Sequence, residues 1–333
     1  MITGTAGFIG YHLADLLLDQ DFRVQGYDGL TDYYDVALKR RRHQRLLQKP
    51  GFTATEALLE EQQTLEAAAS EFQPEIIIHL AGQAGVRFSL EEPRTYIESN
   101  VVGTLNVLEI AKQLSVQHLL IASTSSVYGA NEEMPFRETD KADTQLSIYA
   151  ATIKATESMA HAYAHLFDIP TTMLRFFTVY GPWGRPDLAL FKFVDAILDD
   201  RPIDVHNHGD MKRDFTYVAD LVHAIQLLIP MIPPSPGERE AVSPSDSLSP
   251  VAPYRIVNIG NSEPILLLDF IRIVEEKLGK KAISNFLPMQ PGDLRTTSAN
   301  VELLRELTGY QPETNIRDGV AAFVEWFRDY YQN

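Results

Sequence analysis

The sequence contains no cysteine. That excludes a disulfide scaffold, a thiolate nucleophile and any metal site with sulfur ligands, and it suits a reducing compartment, so a cytoplasmic location is expected. Basic charge is scarce as well: 29 Lys and Arg stand against 45 Asp and Glu, a formal net charge of −16. So acidic a chain repels nucleic acid and anionic membranes unless a local basic patch intervenes. Long apolar runs are missing. None approaches the roughly 20 residues that span a bilayer, and the opening MITGTAGFIG has neither a basic segment nor a small-residue cleavage site, so no secretory signal is expected. The expected partners therefore include no nucleic acid and no membrane. The nine histidines show no metal-ligand spacing. His206 and His208 (HNH) would point to opposite faces of an extended run, which disfavours a nuclease, and His161 and His165, a helical turn apart, are expected to face another subunit or solvent. No metal is expected.

What is present is an ordinary globular balance, 45% hydrophobic and 22% charged over 333 residues, enough for one large α/β domain and a smaller lobe. β-rich runs at Arg23–Tyr27, Phe52–Ala57, Glu75–Ala81, His118–Ser123 and Pro170–Arg175 alternate with segments of helical apolar spacing, such as Ala14-Leu17-Leu18 and Val101-Leu105-Leu108. This alternation predicts βαβ units and a parallel sheet covered on both faces. The unbroken Ile76-Ile77-Ile78 fits a strand buried on both sides. In the second half Pro and Gly cluster and the pattern loosens. The Pro- and Ser-rich run from Pro230 to Pro253 predicts a mobile surface loop, after which strand-like Tyr254–Ile259 resumes. The basic run Lys39-Arg40-Arg41-Arg42, with Arg45, alternates with Leu38, Leu46 and Leu47 and predicts an amphipathic helix whose basic face is solvated.

Gly4-Thr5-Ala6-Gly7-Phe8-Ile9-Gly10 follows a β-type start and opens a helix. A turn of this kind needs glycine for tight curvature, for close backbone approach to a pyrophosphate and for close helix–strand packing, and the helix N-terminus favours the anion. Gly4, Gly7, Phe8, Ile9 and Gly10 are accordingly the candidate cradle for a dinucleotide. Asp28, at the end of the next strand, suits the adenosine ribose hydroxyls and disfavours a 2′-phosphate, which selects NAD. Leu80 and Ala81, in His79-Leu80-Ala81-Gly82, end the fourth strand at the carboxyl edge where open α/β sheets bind ligands. The fold expected is a Rossmann-type, doubly wound parallel sheet with a smaller C-terminal substrate lobe. Its NAD-binding part would be 1–175, with returns near 214–230 and 254–262, and 176–333 would mainly hold substrate. Only Met1, Ile2 and Thr3 precede Gly4, so the first strand is short and stability is expected to suffer.

Together with these features, Ser123-Thr124-Ser125-Ser126-Val127-Tyr128-Gly129, Tyr149 on its helix, Arg175-Phe176-Phe177-Thr178-Val179-Tyr180-Gly181-Pro182, Arg213-Asp214-Phe215 and Pro291-Gly292-Asp293 resemble the extended short-chain dehydrogenase/reductase family, in family order and over nearly the whole chain. Within it, Arg175–Phe193, Asp32–Asp35 and Met211–Tyr217 look most like the UDP-glucuronate 4-epimerases. The resemblance implies an NAD-dependent isomerase acting at C4 of a UDP-sugar through a 4-keto intermediate, converting UDP-glucuronate to UDP-galacturonate. Tyr149 would be the base and Thr124 the hydroxyl that holds the reacting oxygen. Substrate contacts would come from Arg87, Thr124, Ser125, Thr178, Arg185, Arg213 and Asp293. Arg185 suits a sugar carboxylate, because a guanidinium fork matches it bidentately; Arg213 would meet the diphosphate and Asp293 the nucleoside. Thr178 leans toward the uronate branch, since many neutral-sugar epimerases carry asparagine there. Tyr149 would also contact the cofactor. The helices beginning near Glu92 and Ser147 resemble the pair through which family members dimerise, so a homodimer is expected.

Two departures stand out. The family places lysine four residues after the tyrosine, where its charge lowers the phenol pKa. Here that position is Ile153, and Lys154 lies about 140° around the helix from Tyr149. Leu58 takes the place of an acidic residue that would hold the adenine amine, with Glu56 and Glu60 nearby. Ile153 keeps a second reading open, a non-catalytic homologue that binds NAD or a sugar nucleotide. A 4,6-dehydratase or a decarboxylase would need an acid beside Thr124, where Ser125 and Ser126 stand.

Overall fold

The computed structural model describes residues 1–238 and 241–332. Seven strands build the central sheet: β1 (Ile2–Thr3), β2 (Val24–Asp28), β3 (Phe52–Glu56), β4 (Ile76–His79), β5 (His118–Thr124), β6 (Thr171–Phe176) and, later in the chain, β10 (Tyr254–Ile259). Their order is β10-β6-β5-β4-β1-β2-β3, and every pairing is parallel. The predicted runs land within a residue or two of these strands. β1 has only Ile2 and Thr3 to pair with Gly26 and Tyr27 on one side and with Ile78 and His79 on the other. The order reverses between β1 and β4, which opens a crevice at the carboxyl ends.

Between the strands run α1 (Phe8–Leu18), α2 (Val36–Leu47), α3 (Gln62–Phe72), the short α4 (Phe88–Glu91) and α5 (Pro93–Tyr96), then α6 (Gly103–Leu114) and α7 (Ile148–Phe167). A π-helical segment, 97–102, joins α5 to α6. Two apolar clusters cover the two faces of the sheet: Leu13, Leu17, Leu120, Leu174 and Ile225 belong to one, Ile77, Leu108, Leu119, Met173 and Ala160 to the other. At the amino rim, Asp21, Gln73, Ser115 and Asp168 lead into β2, β4, β5 and β6, and all four take positive φ, between 51° and 63°.

The rest of the chain adds β7 (Thr178–Tyr180), α8 (Ala189–Leu198), β8 (Pro202–Val205), β9 (Lys212–Tyr217), α9 (Val218–Leu228), β11 (Pro264–Leu266), α10 (Leu267–Leu278), β12 (Ile283–Phe286), α11 (Glu302–Thr308) and α12 (Ile316–Tyr331). β11-β9-β7 and β12-β8 form two small sheets. They share a third core, built on Phe191, Val194, Phe215, Phe270, Val274 and Phe323. Among the described residues no helix is long and apolar enough to cross a membrane.

Three expectations need correction. The basic face of α2 is not solvated: Lys39 and Arg42 are buried, while Arg40, Arg41 and Arg45 are exposed. Lys39 Nζ donates to the Thr31 carbonyl at 2.6 Å, and Arg42 Nη1 to the Ala6 carbonyl at 2.9 Å, so both charges are spent on loop carbonyls. His161 and His165 both find hydrogen-bond partners within their own chain, His161 half-buried and His165 still exposed to solvent. Their rings meet Ser249 Oγ and the Val251 carbonyl, each at 2.8 Å. The Pro- and Ser-rich segment is therefore held against α7 at its C-terminal end. A buried ion pair also fixes it, Arg255 to Asp246 with both bonds at 3.0 Å.

Candidate active site

β1 delivers the chain to Gly4, whose φ of 81° lies in the left-handed region. A Cβ there would stand 2.8 Å from Ala81 N, and one on Gly10 would stand 2.0 Å from the Gly4 carbonyl. Both contacts are impossible for a side chain, so the turn is packed against the end of β4 by the absence of side chains. Gly7 caps α1 with no side-chain bond, leaving the first-turn N–H groups open. The Asp28 carboxylate accepts Ala6 N at 2.8 Å and Leu30 N at 2.9 Å. Those bonds orient it at the end of β2 and leave acceptor sites for a diol. Uncapped N–H groups, a side-chain-free turn and an oriented carboxylate fit a dinucleotide. Leu80 and Ala81 complete this wall: both backbone N–H groups donate to Thr3 Oγ1 at 3.1 Å. Leu58 is exposed and presses its side chain toward Gly29, while its carbonyl accepts the Tyr27 hydroxyl at 3.0 Å.

Further along the carboxyl edge, Thr124 ends β5 and Tyr149 lies in the first turn of α7, where Ser147 Oγ accepts Ala150 N at 3.1 Å. Burial pushes the Tyr149 phenol above the ordinary tyrosine value, while the neighbouring Thr124 hydroxyl and the charge of Arg185 pull the other way. No lysine shares in this. Lys154 Nζ donates instead to Glu157 Oε2 at 2.9 Å. Glu157 is buried behind the site, where Arg175 donates to it twice, at 2.8 and 2.9 Å, and Ser123 once, at 2.7 Å. Burial alone would raise that carboxyl, but Arg175 and then Lys154 hold it at about 2. Ile153 packs against the apolar core.

The sequence reading missed Asn100, in the π-helical segment. Its side chain accepts Gln83 N at 2.7 Å and donates to the Gln83 carbonyl and to Thr152 Oγ1, both at 3.0 Å; Thr152 in turn donates to the Tyr149 carbonyl at 2.9 Å. One buried amide thus joins the loop after β4 to the turn that carries Tyr149. Its only sequence signal is a polar residue inside an apolar helical pattern.

Ser125, Thr178, Arg213 and Asp293 line one pocket, with Val86, Ser126 and Gly292. Arg213 Nη2 donates to Asp293 Oδ1 at 2.6 Å, so two candidates drawn from distant motifs meet directly. Arg185 is half-buried near Tyr149, gripped by Asp187, with its guanidinium 5.9 Å from the Tyr33 ring. Its Nε donates to Asp187 Oδ1 at 2.9 Å and its Nη2 to the other oxygen, leaving Nη1 for a ligand. Arg87 is not brought in. It is exposed beside Val86 and is not among the lining residues. A separate concavity along α12, lined by Lys277, Trp326 and Arg328, holds none of the candidates. Among the described residues no group of three or more His, Asp or Glu is placed to hold a metal ion.

Residues 1–240 match the NAD dependent epimerase/dehydratase family, and the chain belongs to it. Over its full length it is 54% identical to a probable UDP-glucuronate 4-epimerase of Rhizobium meliloti, covering 97% of that protein. It is 40% identical to UDP-glucuronate 4-epimerase 4 of Arabidopsis thaliana, over 99% of this chain and 75% of that one. A crystal structure of UDP-glucuronic acid 4-epimerase from Bacillus cereus, in complex with UDP-glucuronic acid and NAD, superposes with a TM-score of 0.87 at 30% identity and covers 99% of both chains.

Proposed function

We propose that this chain interconverts UDP-glucuronate and UDP-galacturonate with bound NAD, and that Ile153 makes it slow. The observation that carries the reading is Tyr149 beside Thr124 at the carboxyl edge of the sheet, with Ser125, the next residue, lining the Arg213–Asp293 pocket. Likeness to the uronate epimerases over the full chain supports the substrate. NAD, when bound, supplies a reversible hydride acceptor. Gly4, Gly7, Phe8, Ile9 and Gly10 hold its pyrophosphate, Asp28 its adenosine ribose, and Leu80 and Ala81 wall the site.

Thr124 orients the sugar hydroxyl, and the Tyr149 phenolate takes its proton and later returns it. Arg213 and Asp293 hold the nucleotide, Ser125 and Thr178 the sugar side, and Arg185 the carboxylate through its unused Nη1. Arg87 reaches substrate only by swinging inward.

The separation of one seven-stranded sheet, to which β10 returns, from two small sheets supports a partition into a cofactor part and a substrate lobe. Ile97, Leu105, Leu166 and Phe167 are exposed on the 97–102 segment, α6 and α7, which supports a homodimer through these elements. Absence of cysteine accords with a cytoplasmic location.

The test is incubation of the purified chain with NAD and UDP-glucuronate, following NADH absorbance and resolving the two uronates. Slow formation of UDP-galacturonate is expected. Binding of both ligands with neither absorbance change nor product would establish the second reading, a binding homologue, which Ile153 favours.

A further inference from the structure

Arg42 has no exposed surface. Its Nη1 donates to the Ala6 carbonyl at 2.9 Å and to the Tyr34 hydroxyl at 2.8 Å; its Nη2 donates to the Trp183 carbonyl and to the Gly184 carbonyl at 3.4 Å. All four acceptors are neutral oxygens, and Nε is buried without an acceptor. A buried charge met only by dipoles is costly, so packing alone does not account for it. Its acceptors do. Ala6 lies inside the glycine turn, and Trp183 and Gly184 immediately precede Arg185.

The second segment is held under strain. Trp183 has a φ of 58°, a conformation a bulky residue rarely takes. Its ring is wedged between Tyr11, Trp326 and Tyr330, with centroids 5.6, 5.5 and 5.2 Å away. His12, on α1, hydrogen-bonds the Pro182 carbonyl at 2.9 Å. α1, which opens from the glycine turn, and α12 thus together fix the backbone that presents Arg185.

We propose that Arg42 is a positioning residue that couples the two halves of the site: one planar group binds the glycine turn and the Trp183–Gly184 carbonyls, so that occupancy of the turn sets the Arg185 segment. This rests on the reading that the turn takes NAD and that Arg185 takes a uronate carboxylate. Coupling of this kind is reciprocal: each ligand tightens the other by the same factor.

Both tryptophans of the chain, Trp183 and Trp326, sit at this junction, so indole fluorescence reports on it. The experiment is titration of NAD into the chain, with and without saturating UDP-glucuronate, followed by that emission. In the wild type the uronate lowers the NAD dissociation constant about tenfold, within the usual range of coupling, and UDP-glucose, which lacks the carboxylate, lowers it less. Arg42→Met brings the uronate ratio to about one while NAD still binds. Should that variant fail to fold, Arg42→Lys decides: it keeps the charge but not the planar fork, so a merely electrostatic or structural role would preserve the ratio and coupling through the fork would lose it. An undiminished ratio in the variants, or a wild type that binds both ligands with no coupling, overturns the proposal alone. A wild type that binds neither ligand overturns the functional reading beneath it as well.

Discussion

At Tyr149 the balance of forces is set by what stands one turn further along α7. Burial disfavours the phenolate, Thr124 and Arg185 oppose it, and the position one turn on is aliphatic. Each unit by which a phenol pKa falls multiplies the phenolate fraction near neutral pH about tenfold. Ile153→Lys is therefore expected to raise the turnover of UDP-glucuronate at least about tenfold at neutral pH and to move the alkaline rise of its pH–rate profile to lower pH. Ile153 is only partly buried, so a lysine stem can lie along the same surface with its ammonium toward the phenol. Initial rates of both proteins across a pH series decide the matter, and a wild type as fast as the variant removes Ile153 as the cause of slowness. Arg42 shows how a charged residue can take a core position. Leu38, Arg42 and Leu46 are spaced by four and are all fully buried, so the apolar stripe of α2 runs straight through an arginine. Periodicity located the stripe; residue type hid its middle member.

Elements were legible where local chemistry agrees with tertiary demand. The strands of the large sheet, the glycine turn and the α7 start at Ser147 all follow from patterns within a few residues. The Pro- and Ser-rich segment is anchored by residues distant in sequence, so local composition does not reveal how it is held. His161 and His165 on α7 grip Ser249 and Val251, and Arg255, on the edge strand β10, grips Asp246. Likewise the Arg213–Asp293 contact brings together residues from separate motifs, which spacing alone cannot pair. Asp246→Ala leaves the Arg255 charge without its partner, a loss of about 3–5 kcal/mol if the segment stayed in place. Lifting the segment lets Arg255 reach water, so the cost is met by local opening. Limited proteolysis within 241–253 should accelerate while the melting temperature changes little. A full drop in melting temperature without faster cleavage would show that the segment and the core unfold together.

Across the whole molecule, buried titratable groups set the response to acid. Burial holds the imidazoles of His12, His79 and His118 at about 4, against 6.5 when free. Their contribution to stability is complete above pH 6.5 and is lost as pH falls through about 4, because the unfolded chain takes up protons first. Glu138 opposes them. Burial raises its carboxyl from 4.5 to about 7, so its contribution is complete below pH 4.5 and fades as pH rises through about 7. Three imidazoles outweigh one carboxyl, and unfolding in this window should absorb about two protons from these groups. Urea midpoints should fall as pH is lowered from 6.5 toward 4, and Glu138→Gln should steepen that fall. A midpoint that stays level across the window would contradict the assignment.

The left-handed residues at the amino rim carry a last consequence. Asp21, Gln73, Ser115 and Asp168 hold conformations that glycine or asparagine would hold with less strain, and they sit at the end of the strands away from the chemistry. Natural drift has room there: the scaffold can be re-tuned for heat or cold at its foot without disturbing what it performs at its crown.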